Sequence, residues 1–210
     1  MTLKRSLGVP IGLAGIVLFF RLLLGGPAYA QVLNTDLEVH VSGLPSLMAR
    51  THELTDVLPT SLDTILHNRS ICCGKDSALE DSVAGADPSS LKDVAAKLQG
   101  RHLLSDGRPI QVTAEFWPSN EINSGSVVGA LNGQNALLMS WNSHLYVVYG
   151  AVYQWIWFGA TDSGAAETSI HKFLLLDTRY SDSRRHVEFN RLTDDLSKVQ
   201  GMLLVQIRTQ

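Results

Sequence analysis

Apolar and polar positions change rhythm twice along this 210-residue chain. Residues 7–24 are almost wholly apolar after a basic start at Lys4 and Arg5, and Pro27-Ala28-Tyr29-Ala30 ends the run in a small-x-small pattern. That pattern predicts a secretory signal peptide over residues 1–30, cut before Gln31. Arg21 interrupts the run and leaves it short for a membrane span, so an uncleaved N-terminal anchor is the second reading. Residues 31–59 read as peripheral. Leu37-Glu38-Val39-His40-Val41 alternates like a short strand, Gly43 and Pro45 break it, and residues 46–57 suit a helix.

The middle of the chain has helical spacing. Residues 73–86 predict a helix with Leu79, Val83 and Ala86 on one face. Asp87-Pro88 opens a second, with Asp87 as cap and Pro88 as first helical residue; Leu91, Val94, Ala95 and Leu98 form its stripe, and Gly100 stops it. From residue 105 the period falls to two. Ser105-Asp106-Gly107-Arg108 is a turn, and residues 109–116 read as a strand with Ile110, Val112, Ala114 and Phe116 on one side. Residues 124–131 suit a short helix ended by Asn132-Gly133, and 136–141 a strand. Strands over 144–158, 169–177, 185–189 and 202–207 complete an antiparallel set. Helices first and strands after predict an α+β fold, an N-terminal helical subdomain packed on a C-terminal antiparallel sheet.

Charge and composition narrow the function. The chain carries 17 Lys+Arg against 20 Asp+Glu, and three of the basic residues but none of the acidic ones lie in the first thirty. The chain after residue 30 is therefore mildly acidic, a poor partner for nucleic acid or anionic lipid. A 45% apolar content supports a real core and excludes disorder. Cys72 and Cys73 are neighbours and close no useful loop. Neither cysteines nor histidines fall into metal-ligand spacing, and no nucleotide-binding glycine loop follows a strand, so no metal or cofactor is expected. His102, His171 and His186 read as surface or sheet residues, and Tyr146, Tyr149, Tyr153, Trp155 and Trp157 as sheet packing.

One stretch suggests chemistry, Ile71-Cys72-Cys73-Gly74-Lys75. A cysteine at a helix N-terminus meets the dipole's positive end and free N–H groups, which favour the nucleophilic thiolate. Cys72 falls on the face of Leu79 and Val83 and reads as core. A base is available at His144, which starts one strand, and an orienting carboxylate at Asp177, which ends another. If residues 144–158 and 163–177 form one hairpin turning near 159–162, residues whose numbers add to about 321 face each other, His144 opposite Asp177. Nucleophile, base and orienter then run in the order Cys, His, Asp.

In this arrangement the chain resembles the papain-like cysteine peptidases. Cys73-Gly74 opens a helix; Gly133-Gln134-Asn135 precedes the apolar Ala136-Leu137-Leu138; His144-Leu145-Tyr146-Val147-Val148-Tyr149-Gly150 comes next, and an apolar strand ends in Asp177. The likeness is to the compact bacterial branch that includes bacteriocin leader peptidases, and it covers about residues 60–207. It implies a papain-like domain over 60–210, with Cys73 as nucleophile, His144 as base and Asp177 as third member. The family usually carries a Gln before the cysteine as oxyanion donor. Here His67-Asn68-Arg69-Ser70 stands in its place, leaving Asn68 or His67 for that role. Thr178 likewise replaces the family's Pro after the strand-ending Asp.

The expected function is an exported (periplasmic or secreted) cysteine hydrolase acting on a peptide or amide bond of a peptide or protein substrate, with transfer as a variant of the same chemistry. Membrane contact is expected only through an uncleaved N-terminus. The missing Gln motivates an alternative, a catalytically silent papain-like domain serving as a binding or assembly module. A thiol-redox role for Cys72-Cys73 is weaker, because redox pairs usually have two residues between the cysteines.

Overall fold

The computed structural model describes residues 31–32, 35–44, 57–68, 77–83, 85–87, 90–135, 137–158, 165–180 and 183–209. The expected signal segment, residues 46–56 of the helix expected over 46–57 and the Cys72-Cys73 pair lie outside them. The described chain is α+β, with helices α1 (Val57–Asn68), α2 (Ser77–Val83), α3 (Leu91–Leu98) and α4 (Ser124–Asn132). Nine strands form one antiparallel sheet: β1 (Gln31–Val32), β2 (Leu37–His40), β3 (Gly100–Leu103), β4 (Pro109–Pro118), β5 (Leu137–Trp141), β6 (His144–Phe158), β7 (Ala165–Leu176), β8 (His186–Asn190) and β9 (Val199–Thr209). The order across the sheet is β3-β4-β9-β5-β6-β7-β8. No helix among the described residues is long and apolar enough to cross a membrane.

The amphipathic pattern of α3 does what its spacing predicts. Leu91, Val94, Ala95 and Leu98 are buried while Lys92, Asp93 and Lys97 stay in solvent, and the helix packs on β4 and β9. Each fully buried Leu or Val on that stripe contributes about 1.5–3 kcal/mol relative to exposure. The helix starts later than expected, with Ser90 rather than Asp87 as its cap residue, because the Ser90 N–H donates to the Asp87 carbonyl in a separate turn. After Gly100 the chain does not simply stop but continues as β3 along β4, pairing Arg101 with Gln111.

Two features depart from the expected layout. Residues 31–59, expected to be peripheral, supply β1 and β2, which pair with β6 along residues 150–157 where β5 has left off; Val39, Val41 and Leu44 join the core. The expected boundary between residues 59 and 60 also falls inside α1. Leu58, Leu62, Ile65 and Leu66 bury one side of this helix. Pro59 sits in its first turn, where a missing N–H breaks no helical bond. The buried Ser61 and Thr64 hydroxyls donate to the Val57 and Thr60 carbonyls, each at 2.7 Å, so neither is left unsatisfied.

The β6–β7 hairpin holds the third difference. Phe158 pairs with Ala165 and Val147 with Leu176, so facing residues add to 323 rather than 321 over most of the ladder. The connection is two residues longer than expected. A slip of two keeps every side chain on its face but exchanges its partner.

Candidate active site

His144 is fixed by a tight hairpin. Trp141 of β5 pairs with His144 of β6 across the two-residue loop Asn142-Ser143, whose φ angles of 53° and 61° are those of a type I′ turn. Asn142 donates its N–H to the Lys198 carbonyl at 3.0 Å, tying the loop to the residue before β9. His144 therefore opens β6 half-buried, with its ring edge-on to Tyr146 at a centroid distance of 6.5 Å.

Asp177 comes directly after β7. Its N–H donates to the Arg185 carbonyl at 2.7 Å, and its own carbonyl accepts from Tyr180 N–H at 3.3 Å, so it starts the turn Asp177-Thr178-Arg179-Tyr180. The side chain is buried, and its carboxylate is committed to Arg179. Oδ1 accepts from the Arg179 backbone N–H at 3.1 Å and from Nε at 2.8 Å; Oδ2 accepts from Nη2 at 2.5 Å. This is the forked pairing that a planar guanidinium and a carboxylate favour. The remaining arm, Nη1, lies 3.1 Å from His144 Nδ1.

His144 and Asp177 are thus brought together, but through Arg179. The β6–β7 ladder ends at Val147 and Leu176, and the turn that starts at Asp177 brings Arg179, rather than Asp177, against the His144 ring. The direct His144–Asp177 pairing expected from the sequence is replaced by the order Asp177–Arg179–His144. Arg179 and Tyr146 are the site residues that sequence reasoning missed. The available hint was an acid and a base two residues apart in a turn at a strand end.

The neighbourhood is charged but balanced. Asp177 raises Arg179 further above its ordinary pKa by hydrogen bonding. Burial first, and the Asp177 carboxylate second, push the Tyr146 phenol upward, so it stays protonated beside the guanidinium. The Tyr180 ring lies beneath two cations, with Arg184 4.5 Å and Arg179 5.7 Å from its centroid. Thr178, buried, sits with its hydroxyl 3.4 Å from Ser61 of α1, so the helix and the Asp177 turn are docked together.

The oxyanion candidates lie at the other end of that helix. His67 is exposed in its last turn. The Asn68 amide oxygen lies beside Gly43, close enough that a Cβ there would stand 2.9 Å from it. Neither hydrogen-bonds to His144 or Asp177 among the described residues, and Cys73 lies in the undescribed stretch between α1 and α2.

Two concavities lie elsewhere and are not lined by His144 or Asp177. One, of about 310 Å³, is walled by Met139, Phe173, Phe189 and Met202. The other, of about 590 Å³, is lined by Ser124, Gly125, His171 and Arg191 among others. His171 occupies a bulge in β7, and its Nε2 is buried with no hydrogen-bond partner among the described residues. No protein-family model, curated protein or solved structure matches the chain.

Proposed function

We propose that this protein is an exported cysteine hydrolase of papain-like fold, acting on a peptide or amide bond of a peptide or protein substrate. The observation that carries the reading is the single hydrogen-bonded cluster of His144, Arg179 and Asp177, on a turn docked against α1, whose chain leads five residues beyond Asn68 to Cys73. In the reaction the Cys73 thiol proton passes to His144 and the thiolate attacks the carbonyl carbon. His144 returns the proton to the departing amine, and water then cleaves the thioester. The Cys73 backbone N–H, with Asn68 or His67, would stabilise the oxyanion. Asp177 acts on the ring through Arg179.

The test is turnover of a peptide and amide library by the intact chain and by Cys73→Ala. Turnover that Cys73→Ala abolishes supports the proposal; wild type and Cys73→Ala both failing across the library refutes it. Iodoacetamide at mildly acid pH should label Cys73 and spare Cys72. Export is tested by N-terminal sequencing, with Gln31 expected first and an intact Met1 in the membrane fraction favouring an anchor.

One observation favours a second reading, the silent binding module. Arg179 already engages His144 Nδ1. On that reading wild type turns over nothing, and substitutions at His144 or Asp177 alter thermal stability alone.

A further inference from the structure

The partner of His144 is a cation with five N–H donors and no acceptor, and it does not lose its proton in proteins. A ring nitrogen 3.1 Å from Arg179 Nη1 therefore accepts, and the neutral ring carries its proton on Nε2. This is the reverse of a carboxylate-oriented histidine, whose inward nitrogen donates and whose outward nitrogen holds the free lone pair. In the resting arrangement His144 presents an N–H outward, and its one basic lone pair is covered by a guanidinium. Asp177 does not supply the usual orientation, because both of its oxygens bond Arg179 and the inward ring nitrogen meets Nη1 instead.

We propose that Arg179 is the positioning residue of this site: it holds His144 in the Nε2–H form, and its withdrawal from Nδ1 is what makes the ring a base. The withdrawal need not break the ion pair. Arg179 is anchored to Asp177 through Nε, Nη2 and its own backbone N–H, while only Nη1 touches His144, so the contact to be given up is a single N–H. The thiol proton of Cys73 then goes to the Nδ1 lone pair, giving thiolate and imidazolium. The base role rests on the hydrolase reading above; the tautomer does not.

The experiment is ring-nitrogen NMR on the full chain labelled with ¹⁵N-histidine, with His144 assigned by the signal lost in His144→Gln. Wild type should show Nε2 protonated and Nδ1 accepting, and Arg179→Lys, which keeps a cationic donor, should restore the same form. Arg179→Met removes the donor that pins the ring, so the Nε2–H form should no longer dominate and both tautomers should be populated, with Nδ1 uncovered in the Nε2–H fraction. A wild-type ring protonated on Nδ1 overturns the proposal even if Arg179→Met does not fold, and so does a folded Arg179→Met with unchanged tautomer. In the hydrolysis assay Arg179→Met should raise kcat on the order of tenfold at unchanged KM, the scale of one charge-assisted hydrogen bond; a lowered kcat overturns the latch. An inactive wild type would sink the hydrolase reading and the base role with it, while the spectra still decide the tautomer.

Discussion

Asp177→Ala isolates the Asp177–Arg179 pair at the centre of the site. The Asp177 side chain is 3% exposed and that of Arg179 19%. Removing the carboxylate takes three hydrogen bonds from Arg179, two from its guanidinium and one from its backbone N–H, and strands the cation. Breaking a buried pair from one side costs about 3–5 kcal/mol. The fifth of Arg179 that meets water can recover some solvation, so the lower end applies, about 3 kcal/mol. For a chain of this size that is a fall in Tm of roughly 6–12 °C, followed by far-UV circular dichroism. In an Arg179→Met background no stranded cation remains, and Asp177→Ala should cost about 1 kcal/mol. A double-mutant cycle then gives a coupling near 2 kcal/mol. Additive effects for Asp177 and Arg179, or a stronger coupling of Asp177 to His144 than to Arg179, would refute the order Asp177–Arg179–His144.

Gly201→Ala should lower stability by about 1–3 kcal/mol in urea denaturation, because a Cβ there would stand 2.6 Å from both the Phe116 ring and the Trp117 carbonyl, and the carbonyl is held in the β4–β9 ladder; a wild-type midpoint would contradict this. Asn123→Ala should cost about 1 kcal/mol, since the Asn123 side chain caps α4 by accepting from Ser126 N–H at 3.0 Å, and Asn123→Asp should retain most of it. The raised Tyr146 phenol contributes stability that is present below the ordinary tyrosine pKa of about 10 and is lost as pH climbs through the higher folded value. Tyr146→Phe should therefore flatten the fall in Tm above pH 10, and an unchanged alkaline slope would count against the assignment.

The features legible in the sequence are those encoded locally. The alternation of β4, the α3 stripe and the Asn132-Gly133 end of α4 needed only neighbours within a turn or a strand, and each appears within a few residues of its expected place. α1 was missed because Pro59 counts as a breaker outside a helix's first turn, and because Ser61 and Thr64 dilute its apolar periodicity while being buried. The site was legible as a place rather than as a set of bonds. His144 and Asp177 do come to one place at the open end of the β6–β7 hairpin, yet Arg179 joins them, reaching both from the turn that follows β7, and a contact made from a turn leaves no period in the sequence.

The position of β9 has a consequence for the order in which the molecule can be made. Residues 199–209 come after every other described strand, yet they lie between β4 and β5 in the middle of the sheet. Until residue 209 has left the ribosome, the β3–β4 hairpin and the β5–β8 meander have no strand to join them, and the apolar edges of both wait unpaired. Closing that gap spans the eighty residues, 119–198, between β4 and β9, a contact that is slow to find. Neither half-sheet has its inner neighbour until β9 is made, so the sheet becomes continuous only with that strand.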